Sequence, residues 1–114
     1  MYGHALSVPI FFRIIPLDNL LERLIIPFMQ VIPEDITNHG QADMTIIFRN
    51  HIYVMEIKVV DNLPEGNNIA LEQIIQRKYA EKYRNREGMT VHEVGLVFNK
   101  TQRNLVQADF LTTP

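Results

Sequence analysis

The chain has 114 residues and a net charge of −2 at pH 7, a length that fits one small domain rather than two. Hydrophobic residues make up 46% and charged residues 21%, as in ordinary globular folds, and the negative balance argues against non-specific coating of nucleic acid. Cysteine is absent, which excludes disulfides and thiolate metal sites. No apolar run reaches about 18 residues and the N-terminus lacks a basic leader, so we expect a cytoplasmic protein without membrane association.

The first third of the chain is apolar and interrupted by prolines. A helix is predicted from about Asn19 to Met29, because its apolar side chains recur at helical spacing. Pro27 should kink or end this helix. Val31–Ile36 then favours a strand, and residues 37–40 have the composition of a turn.

The middle of the chain contains the two clearest strands, Met44–Phe48 and Ile52–Val60. A tight turn at residues 49–51 joins them. Both faces of the second strand are apolar, which predicts a central strand covered on two sides.

Three ionisable residues interrupt this apolar region: Asp43, Glu56 and Lys58. A turn at residues 49–50 would place Asp43 opposite Glu56, and a turn at residues 50–51 would place it opposite Lys58. In either register all three share one face, whereas a three-residue turn separates them unless a bulge restores the alignment. An ionised group in a buried strand costs on the order of several kcal/mol unless it is paired or binds a metal.

Two carboxylates and a lysine on one face are the minimum set for metal-assisted phosphodiester hydrolysis. Asp43 and Glu56 offer the oxygen ligands that Mg²⁺ prefers, with the Ile57 carbonyl as a third. Lys58 would orient the attacking water or neutralise charge on the phosphate. The structural alternatives are a Glu56–Lys58 ion pair on a solvated edge strand, and Asp43 as a turn residue bonded to nearby amides.

The second half of the chain contains a predicted helix over Ile69–Arg84, capped by Asn68. Strands are predicted at Val91–Phe98 and, as a short last one, at Leu105–Leu111. The order α-β-β-β-α-β, with a possible extra short strand, predicts an α/β domain whose mixed sheet is flanked by helices. The basic outer side of the second helix is either solvated surface or a surface for phosphates.

Four sequence segments resemble the PD-(D/E)XK nuclease superfamily. They are Gly40-Gln-Ala-Asp43, Glu56-Ile-Lys58, Ala70-Leu-Glu-Gln73 and Tyr79-Ala-Glu-Lys-Tyr83. In particular, the chain looks like the nuclease-like C-terminal domain of bacterial predicted AAA-ATPase-like proteins, over residues 31–106.

The resemblance implies a restriction-endonuclease-like core with a Mg²⁺ (or Mn²⁺) site acting on DNA or RNA. By position, Asp43 and Glu56 would be metal ligands, Lys58 the catalytic lysine, and Gln73 the helix residue beside the site. The predicted nucleic-acid-binding residues are Lys78, Tyr79, Lys82 and Arg84.

We expect one nuclease-like domain over residues 1–114, in which residues 1–30 form a divergent or truncated N-terminal helical region. Glu22 is the only carboxylate in the predicted first helix, where the superfamily usually has an acid. We expect a truncated or diverged copy, because these 114 residues leave no room for the ATPase-like portion that usually precedes the domain. The alternative function is a catalytically inactive module that binds nucleic acid or protein. Its partners would be an ATPase-like domain or a second copy bound through the apolar residues 5–31.

Overall fold

The computed structural model describes residues 2–4 and 29–114. Their strands form one mixed sheet in the order β1-β6-β5-β4-β3-β2, in which only the β4–β5 pair is parallel. The strands are β1 (Tyr2–His4), β2 (Met29–Thr37), β3 (Gly40–Phe48), β4 (His51–Val60), β5 (Thr90–Asn99) and β6 (Asn104–Thr113), and the helix is α1 (Ile69–Gln76). This mixed sheet with one helix is compatible with a restriction-endonuclease-like α/β fold.

The predicted N-terminal helix lies outside the described residues except at its last position. That residue, Met29, begins β2, so the structure corrects the end of the predicted helix to a strand. β2 contains the whole of the predicted strand Val31–Ile36. Among the described residues, no helix is long and apolar enough to cross a membrane.

β3 and β4 form a hairpin whose turn is Arg49-Asn50, because Phe48 pairs with His51. Arg49 adopts a φ of +55° there. β4 is rich in β-branched and aromatic residues, and its first half is buried on both faces, as the apolar pattern predicts.

α1 connects β4 to its parallel neighbour β5, since parallel strands require a crossover. Asn68 caps the helix by accepting a hydrogen bond from the Leu71 amide. The predicted extension of this helix to Arg84 is wrong: the helix ends at Gln76, and Lys78 has a φ of +53°. A single 3₁₀ turn, Glu81–Tyr83, follows.

Two apolar clusters pack on the two sides of the sheet. The α1-side cluster contains Ala42, Ile52, Val54, Ile74, Tyr79, Ala80, Tyr83 and Val91. The opposite cluster contains Ile46, Tyr53, Met55 and Val94, with Met29, Met44, Leu96 and Phe110 at its border. Burying Tyr79, Ala80 and Tyr83 against the sheet explains why the chain leaves the helical path after Gln76: tertiary packing overrides local helix propensity.

β2 is an edge strand of the described sheet and is irregular in its middle. Pro33 has no backbone N–H, and Glu34 has a φ of +51°. Two large apolar side chains on this strand are exposed, Val31 (51%) and Ile36 (75%).

Candidate active site

Asp43 lies where the β3–β4 ladder stops. The last paired residues are Met44 and Met55, so the same register continued by one step places Asp43 across from Glu56. Instead of a ladder hydrogen bond, the Ile57 amide donates to Asp43 Oδ2 at 2.7 Å. The carboxylate thus takes the place of a backbone carbonyl, and the two strands separate at this point.

The side-chain alternation of β3 also changes at Asp43. Ala42 belongs to the α1-side cluster, whereas Met44 lies at the opposite cluster, although residues two apart in a regular strand share a face. The β2–β3 register places Glu34, with its positive φ, across from Asp43. This local irregularity presents the exposed Asp43 carboxylate beside β4.

Glu56 is the buried acid of the site, with only 2% of its surface exposed. Its Oε2 accepts a hydrogen bond from Gln73 Nε2 and lies 3.9 Å from Lys58 Nζ. Its Oε1 is buried and has no hydrogen-bond partner within residues 29–114. A buried carboxylate oxygen without a donor is costly, so this atom calls for a proton or a cation.

Burial, a hydrogen bond shared with Asp43 and the charge of Asp43 raise the pKa of Glu56 to about 7, although Lys58 acts in the opposite direction. Near neutral pH the Glu56 carboxyl is therefore close to the point at which its proton leaves.

Gln73 connects α1 to the carboxylates. Besides donating to Glu56, its Nε2 lies 3.3 Å from the Tyr79 hydroxyl. Tyr79 is 3% exposed and packs against Gly40, where an added Cβ would lie 3.1 Å from the ring. The buried Tyr79 therefore helps to fix the position of the Gln73 side chain.

The donor set fits a hard divalent cation. Within the described residues, no three His, Asp or Glu side chains gather closely enough to hold a metal ion. Mg²⁺, however, is usually held by one or two carboxylates and keeps several waters. Asp43, Glu56 with its unpartnered Oε1, and the adjoining Ile57 backbone are the residues that can hold such an ion.

The predicted nucleic-acid-binding residues do not form one basic helix face. Lys82 Nζ bonds Asp35 at 2.5 Å and the Ile36 carbonyl at 2.7 Å. Arg84 donates to Glu93, which is 2% exposed, at 2.8 Å. Tyr79 is buried, and Lys78 is exposed.

Two polar groupings escaped sequence reasoning. Asp35 is buried and also accepts hydrogen bonds from Thr45 and Tyr83, both at 2.6 Å. On the other side of the sheet, His51 Nδ1 and His92 Nε2 are 2.9 Å apart. The only signal for either grouping is strand register, which depends on pairings distant in sequence.

A mixed sheet with one helix, and with an aspartate, a buried glutamate and a lysine at the end of a hairpin ladder, defines a nuclease-type α/β domain. The chain belongs to the PD-(D/E)XK nuclease superfamily, whose sequence pattern it matches over residues 20–108. It is also similar to an "Uncharacterized protein in vnfD 5'region" of Azotobacter chroococcum mcd 1, with 44% identity over 73 residues. That match covers 64% of this chain but only 14% of the relative.

Proposed function

We propose that this domain is a metal-dependent nuclease that hydrolyses phosphodiester bonds of DNA or RNA. The observation that carries the proposal is the Glu56 carboxylate: it is buried, lies beside Asp43 and has an oxygen with no hydrogen-bond partner among the described residues. That oxygen, Oε1, is available to a cation, whereas Lys58 lies 3.9 Å from the other oxygen, Oε2.

Each side chain then has a separate task. Asp43, Glu56 and the Ile57 carbonyl would hold Mg²⁺ or Mn²⁺, and such an ion, when bound, would acidify water and polarise a phosphoryl oxygen. Gln73 fixes the orientation of Glu56 through Oε2. Lys58, whose side chain is 35% exposed, reaches from Glu56 toward solvent and neutralises negative charge on the incoming phosphate.

Nucleic acid is the proposed partner. Among the predicted contact residues, Lys78 is the exposed cation that forms no ion pair with another residue of the described part of the chain. The proposal extends to an ATPase-like portion acting beside this domain. The Azotobacter relative, of which the match covers 14%, has the length for such an additional portion.

The deciding experiment is a cleavage assay on the purified protein. Linear duplex DNA, single-stranded DNA and RNA are each offered with Mg²⁺, with Mn²⁺ or with EDTA. Asp43→Asn removes a carboxylate of the site and is expected to lower the cleavage rate by at least about 10²-fold, because it removes metal affinity and charge stabilisation together. Glu87→Gln removes an exposed carboxylate elsewhere and serves as the matched control.

Metal-dependent cleavage that is lost in Asp43→Asn and kept in Glu87→Gln is the expected result. Equal cleavage by the parent and Asp43→Asn would assign the activity to a contaminant or to another site. No cleavage of any of the three substrates would contradict the nuclease proposal and favour a catalytically inactive binding module.

A further inference from the structure

Gly95 lies where α1 comes closest to the sheet. A Cβ placed on this residue would be 2.3 Å from the Leu71 amide nitrogen and 2.8 Å from Leu71 Cα. It would also be 2.6 Å from Asn68 Oδ1. Because two of the three obstructing atoms are helix backbone, they cannot move aside as a flexible side chain would. Any residue other than glycine must push the first turn of α1 away from β5.

The strand register places this contact directly beside the candidate active site. Gly95 pairs with Glu56 on β4 and with Asp109 on β6, so the three residues form one row across the sheet. Asn68, the helix cap, donates through Nδ2 to the Gly95 carbonyl at 2.9 Å and to Asp109 Oδ2 at 3.1 Å. The start of α1 is thus bonded to the two strands that continue the row from Glu56.

We infer that Gly95, Asn68 and Asp109 are positioning residues: they hold the first turn of α1 close enough to the sheet for Gln73 to reach Glu56. The inference rests on the proposed function and names residues that act through Gln73, without themselves touching substrate. Gly95 allows α1 to lie close to β5, and the hydrogen bonds of Asn68 hold the helix there.

The hydrogen bond from Gln73 to Glu56 tolerates little movement of the helix. Leu71 and Gln73 belong to the same eight-residue helix, so a displaced first turn carries Gln73 with it. Hydrogen bonds weaken steeply beyond their normal range, and a shift of about 1 Å is enough to lose one. Misplacing a catalytic group by about 1 Å can cost on the order of 10²-fold in rate.

The test combines an NMR measurement on ¹⁵N-labelled protein with cleavage kinetics. The side-chain amide signal of Gln73 is identified by its absence in Gln73→Leu. In the parent protein, its protons are expected downfield of the exposed amides, because the amide donates to a carboxylate. Gly95→Ala is expected to return the signal to the exposed range and to lower kcat by about 10-fold or more, with KM changed less than about twofold.

Gly66→Ala is the matched control, since a Cβ there meets no atom within 4 Å. It should leave both the Gln73 signal and kcat at the parental values. A purely structural role for Gly95 would lower thermal stability while leaving the Gln73 signal of the folded protein unchanged, and that result would overturn the inference.

A second pair of variants decides the question where Gly95→Ala does not fold. Asn68→Asp keeps the acceptor for Leu71 but loses the donor to Gly95 and opposes the carboxylate of Asp109. It should displace the Gln73 signal, and adding Asp109→Asn should restore it by supplying a donor. An undisplaced signal in Asn68→Asp would refute the positioning role. Because the signal is independent of cleavage, a protein that never cuts would refute the nuclease proposal alone.

Discussion

At the scale of single residues, Glu56 lies among groups that have opposite effects on its ionisation. Burial and Asp43 favour its protonated form, whereas Lys58 favours its ionised form. A divalent cation held by Asp43 and Glu56 would replace the Glu56 proton. The site is therefore expected to exchange a proton for a metal ion near neutral pH.

Replacing Glu56 with glutamine should change how stability depends on pH. The folded pKa is about 7 and the ordinary value is 4.5, so between these values the folded protein keeps a proton that the unfolded chain has released. Raising the pH through this window thus lowers the free energy of unfolding of the metal-free parent, by on the order of 3 kcal/mol. Glu56→Gln lacks this loss and should be more stable than the parent at pH 8 but not at pH 4.5.

Urea unfolding in EDTA at both pH values measures this difference, with Glu87→Gln as the control. Burial and His51 lower the pKa of His92 to about 4, so the free energy of unfolding also rises with pH in the acidic range. Subtracting the profile of the parent from that of Glu56→Gln removes this contribution. A parent and a Glu56→Gln variant with parallel pH profiles would show that Glu56 titrates normally.

At the scale of elements, the hairpin was predictable and the end of the helix was not. The alternation of two along β3 and β4 and a two-residue turn limited Asp43 to a position beside Glu56 or Lys58, and the structure brings Asp43 to Ile57 and Lys58 to Glu56. The choice of register needed the turn conformation at Arg49, which local sequence does not specify.

The helix has no glycine or proline that would stop it at Gln76. It stops there because Lys82 and Tyr83 hydrogen-bond to Asp35 on β2. Asp35 precedes these two residues by 47 and 48 positions in the sequence. Such pairing is invisible in a local pattern. The catalytic and nucleic-acid-binding roles of the site residues stay predictions.

Lys82 is expected to contribute to stability. Asp35 is buried, and although burial alone would raise its pKa, hydrogen bonds from Lys82, Thr45 and Tyr83 hold that pKa below its usual value. Lys82→Ala leaves a buried charge with only two hydroxyl donors. Because the lysine side chain is itself 36% exposed, we expect a loss of about 1–2 kcal/mol rather than the full penalty for breaking a buried pair. Chemical denaturation checks this value, and an unchanged midpoint would contradict it.

Lys78 should show the opposite behaviour. It is exposed in a left-handed turn conformation directly after α1, and its side chain is available to phosphates. Lys78→Ala should leave stability within about 0.5 kcal/mol and reduce the salt dependence of nucleic-acid binding by about one phosphate contact. Binding titrations at several salt concentrations measure the slope. A slope identical to that of the parent would remove Lys78 from the interface.

At the scale of the whole molecule, ion binding and folding are linked. A metal ion that binds only the folded protein stabilises it by about 2.7 kcal/mol at a concentration of 100 Kd. For a domain of this size, that corresponds to an increase in Tm of roughly 10 °C or more. The increase is expected at pH 8 with Mg²⁺ or Mn²⁺, should shrink at pH 5 as a proton occupies Glu56, and should vanish in Asp43→Asn. A thermal scan with Na⁺ at equal ionic strength is the control, and an equal increase in Asp43→Asn would place the ion elsewhere.

The irregular edge strand β2 affects how readily copies of the protein assemble with one another. An open edge with exposed apolar residues such as Val31 and Ile36 is normally a template on which further chains assemble into cross-β fibres. Pro33 removes one donor from that template, and Glu34 turns the backbone out of the flat geometry that stacking requires. The same irregularity that lies across from Asp43 therefore also makes this edge of the described sheet a poor template for fibre growth.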